Sequence, residues 1–469
     1  MFRIHRACFS VSRWRALTIC KHPSARHIEG SDLTLCGLSR TGNTRQTSLC
    51  GKSKIRSRTG WTIQAALLLF LVGGCANSPI TIGPTQSPLS PGKHEDPVSS
   101  RYFGMHITEA VDGTPWPVVP FGTWRLWDAY VTWKDLEPSR GTWNFAKLDA
   151  LVSLAEQHNV EIILPLALTP QWASARPNEP SAYTLGAAAE PSSIQDWIDY
   201  AHAVATRYKG KIAYYEMWNE ANGTSMWTGT PAELVALQQA AYSAIKNDDP
   251  NAQLISASLE SEGALPYMQN LLKLGYASSA DIIGFHLYVS PGMPEAMAPL
   301  ATGIISLLNQ YGVNKPLWDT ETGWLPGCSF ASEDQQAAIA VRALLVTNAS
   351  GVARFLWYAW DNHCCVTLYM TEADDTTPTP AALAYANLQK WLVGNTLSPC
   401  TQDSGVWSCG LQFRDGGRGL ILWKPSGTVT VTVNLDWTPT VIEDMYGNDS
   451  PMTGKSFKVG EDPLLIRET

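Results

Sequence analysis

From Arg101 to Gly394 the chain alternates short β-propense apolar runs with amphipathic helical stretches, and this alternation limits the fold more than any other feature. The strand candidates are Tyr102–His106, Thr123–Leu126, Val160–Leu166, Ile212–Trp218, Gln253–Leu259, Asp281–Tyr288, Pro316–Thr320 and Val352–Trp357. Apolar runs bounded by turn residues predict strands buried on both faces, and a helix between successive strands is the connection that parallel pairing needs. Helices are predicted over Phe145–Gln157, Ile194–Tyr208, Pro231–Lys246, Met297–Tyr311, Glu333–Thr347 and Ala381–Leu392. Eight such strands over ~290 residues fit a (β/α)8 TIM barrel, whose usual size is about 250 residues.

After Gly394 the alternation stops. Val406–Phe413, Leu420–Lys424, Thr428–Val433, Thr440–Asp444 and Leu464–Arg467 are short runs split by Gly, Pro, Asn and Asp. That pattern predicts a small antiparallel β-sandwich over 395–469, packed on the barrel because so short a chain buries little by itself. The fold expected is therefore α/β: a barrel over 101–394 followed by the sandwich.

The segments before the barrel differ in kind. Residues 1–75 hold 12 of the 34 Lys and Arg but only 2 of the 42 Asp and Glu, so the remainder carries −18. A surface of that sign excludes nucleic acid as a partner and suits a neutral glycan. Lys52, Lys54, Arg56 and Arg58 precede the apolar run Trp61–Gly74, too short for a comfortable transmembrane helix but shaped like an export signal over 51–75. Val72-Gly73-Gly74-Cys75 resembles a bacterial lipobox, which makes Cys75 the expected site of lipidation and the cell envelope the expected location. Residues 1–50 do not fit an export signal and are expected to be a leader or an over-extended start. Residues 76–100, rich in Pro, Ser, Gly and Thr, predict a flexible tether.

Two strand ends carry the chemistry. Glu220 follows the aromatic run Tyr214–Trp218, and Glu321 follows Leu317-Trp318-Asp319-Thr320. In a parallel barrel the carboxyl ends of the strands build the active site. Strands four and seven face one another across the mouth, and hydrolysis of a glycosidic bond needs two opposed carboxyl groups. Asn219 is placed to meet a sugar 2-hydroxyl, while Arg125 and Tyr288 are placed to keep Glu321 ionised. His286 shares a strand face with Tyr288. His106 and Glu260, at the ends of strands one and five, are candidate substrate contacts. Nineteen tryptophans supply stacking surfaces for sugar rings, and Trp172, Trp324, Trp357 and Trp360 fall at strand ends or just beyond. Asp319, deeper in its strand, is expected to support the barrel.

Glu216-Met217-Trp218-Asn219-Glu220 resembles the strand-four motif of clan A glycoside hydrolases, and Trp318-Asp319-Thr320-Glu321 resembles the strand-seven motif. Phe285-His286-Leu287-Tyr288 is similar to the strand-six motif. Trp124-Arg125-Leu126-Trp127-Asp128, Leu136-Glu137-Pro138-Ser139-Arg140-Gly141 and Thr169-Pro170-Gln171-Trp172-Ala173 look most like family 39. Families 5, 30, 51 and 79 share the fold and the paired glutamates. The resemblance implies a retaining β-glycoside hydrolase, with Glu220 as acid/base and Glu321 as nucleophile, acting on a polysaccharide or oligosaccharide. An exo-acting β-xylosidase is the alternative within the class, and a non-catalytic surface glycan-binding lipoprotein the alternative outside it. Neither a metal nor an organic cofactor is implied, and a monomer is expected.

Five cysteines lie beyond Cys75. Cys400 and Cys409 flank a predicted hairpin and are the expected pair, and Cys328 with Cys364 or Cys365 could staple neighbouring barrel loops.

Overall fold

A computed structural model describes residues 80–83, 96–363 and 365–468. The leader at 1–50, the export signal with Cys75, most of the expected tether and Cys364 lie outside the described residues. No helix among the described residues is long and apolar enough to cross a membrane.

The barrel strands are β1 (Phe103–Met105), β2 (Thr123–Arg125), β3 (Glu161–Leu166), β4 (Tyr214–Met217), β5 (Gln253–Ile255), β6 (Ile283–His286), β7 (Leu317–Thr322) and β8 (Val352–Trp357). Every neighbouring pair is parallel, and β8 pairs with β1. Closure between β5 and β6 is irregular. The chain leaves β5 after Ile255, bridges to Ile282, and pairs again with β6 through Leu259–Glu260. The result is a (β/α)8 barrel, and the break places Glu260 at the rim beside His286, its register partner.

Side-chain caps mark the starts of several helices. Pro231–Asp248 starts at Thr230, whose hydroxyl accepts from the Glu233 amide while the Glu233 carboxylate accepts from the Thr230 amide, with Pro231 in the first turn. At Pro380–Leu392 the Thr379 hydroxyl accepts from the Ala382 amide and Pro380 opens the first turn, without a reciprocal carboxylate. Two helices escaped the sequence reading, Trp133–Leu136 and Leu265–Lys273. Both are shorter than the window of roughly 11–18 residues over which an apolar period is read.

The barrel interior is layered. Ile163, Ile255, Ile282, Trp318 and Leu356 fill one layer, with Tyr214 packed against it. Above them, toward the mouth, lies a polar layer of Arg125, Glu216, Ser258 and Thr320, all fully buried. A buried charge is tolerated only with its partners made, and here they are.

The C-terminal region forms an antiparallel sheet that includes Val406–Gln412, Arg418–Trp423, Val441–Glu443 and Leu464–Arg467, with a second, three-stranded sheet against it. The edge of that second sheet is Ile80–Ile82, paired in parallel with Val431–Val433. The expectation that all of 76–100 is a tether is therefore corrected at Ile80–Ile82: two β-branched apolar residues there meet an open strand edge. The sandwich shares its core with the barrel. Leu411, Ile421, Trp423 and Leu465 belong to the same apolar cluster as the barrel helices. Helix Glu333–Ala349 is buried nearly all round, with Arg342 held by Glu295 at 2.8 Å. Cys400 and Cys409 are disulfide-bonded, while Cys328 and Cys365 are free, so the expected staple of the barrel loops is not made by these two.

Candidate active site

Glu321 is the penultimate residue of β7, which runs two residues further than the sequence predicted. Glu220 lies three residues past β4, where Trp218 and Glu220 both adopt left-handed backbone (φ 57° and 46°). That conformation costs roughly 1–2 kcal/mol for a residue with a Cβ, and it turns the chain so that Glu220 reaches the mouth. Gly323 permits the matching bend after β7, because a Cβ there would collide with the Tyr358 carbonyl.

The two glutamates meet. One carboxylate oxygen from each, together with a ring nitrogen of His286, fall within 4.8 Å of one another. Arg125 on β2 organises the floor beneath them. Its Nε donates to Glu216, its Nη1 to Glu321 Oε2 at 2.8 Å and its Nη2 to Asn219 Oδ1 at 2.7 Å. Only a guanidinium fork satisfies three acceptors in one plane. Tyr288 donates to the other oxygen of Glu321 at 3.0 Å. Because Arg125 fixes Oδ1 of Asn219, the amide nitrogen has no hydrogen-bond partner among the described residues and can donate to a ligand oxygen.

The electrostatics follow from burial. Removal from water pushes both Glu220 and Glu321 up to about 7. Arg125 opposes this at both, whereas the charge of Asp128 adds to it. Two carboxyls so close share one proton near neutrality. Hydrogen bonds decide where it rests. Glu321 accepts from a guanidinium and a phenol, which favours the ionised form, whereas the Glu220 carboxyl group has, among the described residues, only Nδ1 of His286 at 3.1 Å. Burial lowers the His286 pKa and keeps the ring neutral, so it leaves the proton on Glu220 unchallenged. Glu260, beside His286 at the rim, is also raised to about 7, by burial and then by the charge of Glu220. Its backbone is tied to the strand-four loop by the Asn222 amide, at 3.0 and 3.2 Å.

Glu220, Glu321, Asn219, Arg125, His286, Tyr288 and Glu260 are thus gathered at one end of the barrel. His106 is buried in the wall, with Nε2 on the Thr320 carbonyl at 3.1 Å rather than on a glutamate. The stacking role expected of Trp324, Trp357 and Trp360 is corrected: they are 2%, 0% and 1% exposed, Trp324 against Trp357, and present no open face. Trp172 is half-buried, its indole nitrogen on the Glu137 carbonyl and one face under Arg140. Asp319 accepts from the Leu287 amide and the Thr322 hydroxyl, a wall role as expected.

The sequence reading missed Glu216, which Arg125, Ser258 and Thr320 all address. Its signal was a carboxylate inside an aromatic strand. It also missed Asp128, held by Tyr183 at 2.6 Å and Tyr358 at 2.7 Å. Tyr183 comes from a long loop and gave no signal. Glu220, His286 and Glu321 are, among the described residues, the side chains close enough together to hold a metal ion, although Arg125 already supplies positive charge to Glu321.

No curated protein matches the sequence. Solved structures match the fold. A family 39 glycoside hydrolase from Bacteroides cellulosilyticus WH2 aligns with TM-score 0.63 at 18% identity over 75% of this chain and 76% of that one. A monomeric β-xylosidase from Caulobacter crescentus CB15 aligns with TM-score 0.58 at 15% identity over 83% and 99%. The catalytic domain of the family 30 xylanase C from Talaromyces cellulolyticus aligns with TM-score 0.56 at 11% identity over 84% and 100%. At these identities the likeness is one of architecture. Residues 119–362 match the family model described as Cellulase (glycosyl hydrolase family 5), a span that contains both glutamates and the polar layer beneath them. The clan A expectation therefore holds, with family 5 as the matching model and family 39 among the structural neighbours. Because the match covers more than half of the chain, the protein belongs to the cellulase family, glycosyl hydrolase family 5, and is a glycosidase.

Proposed function

We propose that this glycosidase cleaves a β-linked polysaccharide with retention of anomeric configuration, by double displacement between Glu321 and Glu220. The observation that carries the reading is the approach of their carboxylate oxygens to within 4.8 Å. Retaining enzymes hold the two carboxyl groups about 5–5.5 Å apart, whereas inverting enzymes need about 6.5–9.5 Å to admit a water.

In the first step a Glu321 oxygen attacks the anomeric carbon as Glu220 gives its proton to the departing glycosidic oxygen. Arg125 and Tyr288 keep Glu321 ionised and aimed. The amide of Asn219 is placed to donate to the sugar 2-hydroxyl, a contact that strengthens as charge develops. Once Glu321 is esterified its charge is gone, and the Glu220 pKa falls because a like charge no longer opposes its ionisation. Glu220 then takes a proton from water, which releases the sugar and regenerates Glu321. His286 Nδ1 can donate to Glu220 while it is ionised.

The family match and the xylanase among the structural neighbours support a β-1,4-glucan or xylan as substrate. The β-xylosidase neighbour favours exo-cleavage of xylosides as the second reading. The basic segment and lipobox support a lipid-anchored enzyme in the cell envelope, attached through Cys75. Product analysis on xylan, β-glucan and nitrophenyl β-xyloside tests the substrate. Oligosaccharides from the polymers support polysaccharide cleavage; turnover of the nitrophenyl xyloside alone defeats it.

A further inference from the structure

A sugar-sized depression lies away from Glu220 and Glu321, lined by neither of them. A groove of about 860 Å³ opens where the end of helix Pro380–Leu392 meets the sandwich. In a barrel the helices run from the mouth back to the floor. Val393, just past this helix, bridges to Val98 ahead of β1, which puts the groove at the floor end.

We infer that this groove binds a neutral segment of the same glycan on which the barrel acts, with Phe413 as its platform. The inference rests on the proposed polysaccharide substrate. Phe413 lines the groove and is only half-buried. Its ring lies against the strand at Gly417 and Gly419, where a Cβ on Gly419 would come 3.1 Å from Cε2 of the ring. The glycine makes room for a flat ring, and a flat half-buried ring is what the C–H face of a pyranose packs on.

The polar lining suits hydroxyl groups. Lys390 and Thr438 line the groove, are exposed, and their side chains make no hydrogen bond to another described residue. The carboxylates are already held in place, Glu443 by Trp391 Nε1 at 2.7 Å and Asp415 by the Gly417 amide at 3.0 Å. Held carboxylates retain lone pairs for sugar hydroxyls without paying to order themselves. Lys390 and Arg467 nearly balance Asp415, Glu443 and Glu468, so the groove has no strong sign with which to select a polyanion. Holding polymer at the floor end would keep it at high local concentration near the mouth.

The test is native-gel electrophoresis of the full chain with Glu321→Gln, which stops turnover, through gels containing soluble arabinoxylan or barley β-glucan. The chain should be retarded in at least one gel. Phe413→Ala should weaken the apparent affinity roughly fivefold, the size of one aromatic contact. Lys390→Ala, an exposed change that leaves the core untouched, should weaken it by a smaller factor. Retardation by both variants equal to that of the parent overturns the inference. So does a parent that moves freely in both gels while the wild-type enzyme hydrolyses aryl β-glycosides, a result that leaves the hydrolase reading standing.

Discussion

Replacing Arg125 with lysine keeps one positive charge beneath the site and removes the fork. The guanidinium makes three hydrogen bonds, to Glu216, to Glu321 at 2.8 Å and to Asn219 at 2.7 Å. An ammonium on a shorter, round head can satisfy one of these directions well, so two are lost. At roughly 1.5–3 kcal/mol for each bond to a charged group, the total is about 3–6 kcal/mol. Because Arg125 and Glu216 are fully buried, water cannot easily replace what is lost. The loss divides by partner. The share at Glu216 appears in the unfolding free energy, measured by urea denaturation followed through tryptophan fluorescence. The share at Glu321 and Asn219 appears in kcat/KM for an aryl β-glycoside, roughly 10²–10³-fold, the cost of one misplaced donor where charge develops. With the guanidinium hydrogen bond to Glu321 gone, the ionised carboxylate is less well held, so the Glu321 pKa rises further and the acidic limb of the pH profile moves up. A variant within about 0.5 kcal/mol of wild type in stability and within about threefold in kcat/KM would show that the fork does not organise the site.

Tyr288→Phe removes the donor to Glu321 Oε1, so kcat/KM should fall roughly 10–100-fold with its acidic limb shifted upward; an unchanged profile would remove Tyr288 from the nucleophile's support. Burial raises Glu220, Glu321 and Glu260 from 4.5 to about 7, so the native state binds protons more tightly than the unfolded chain. Stability should therefore be greatest below about pH 4.5 as far as these groups are concerned and should fall as pH rises to about 7. Thermal unfolding of wild type against Glu220→Gln and Glu260→Gln checks this, since each variant should flatten that slope and a parallel slope would contradict it. Cys400→Ala with Cys409→Ala opens a short loop and should cost roughly 2–3 kcal/mol of unfolding free energy, while kcat/KM stays as it was. A large loss of activity there would place the hairpin in contact with the site.

The barrel was legible because its strands are mostly apolar runs and the stretches between them are amphipathic, local signals that survive without knowledge of tertiary contacts. Glu220 and Glu321 stood out for a related reason: a carboxylate at the polar end of an apolar run must sit at a rim. The same logic applied one turn deeper would have found Glu216, since a buried Arg125 requires more than one anion. Trp324, Trp357 and Trp360 were misread because a tryptophan at a strand end can as readily pack beneath the next loop as face the mouth, and spacing does not separate the two. Ile80–Ile82 was invisible for the opposite reason. Three residues in a Pro- and Ser-rich segment become a strand only against an edge formed by Val431–Val433, far along the chain.

The central claim is that Glu321 becomes covalently glycosylated while Glu220 shuttles the proton, and the configuration of the first-formed sugar reads this directly. Proton NMR of the anomeric signal during the opening minutes of hydrolysis of a β-glycoside, before mutarotation, separates the outcomes. The β-anomer should appear first and the α-anomer only by later equilibration. An α-anomer formed first would mean that water attacks in a single displacement, and that the carboxyl pair does not work as its spacing indicates.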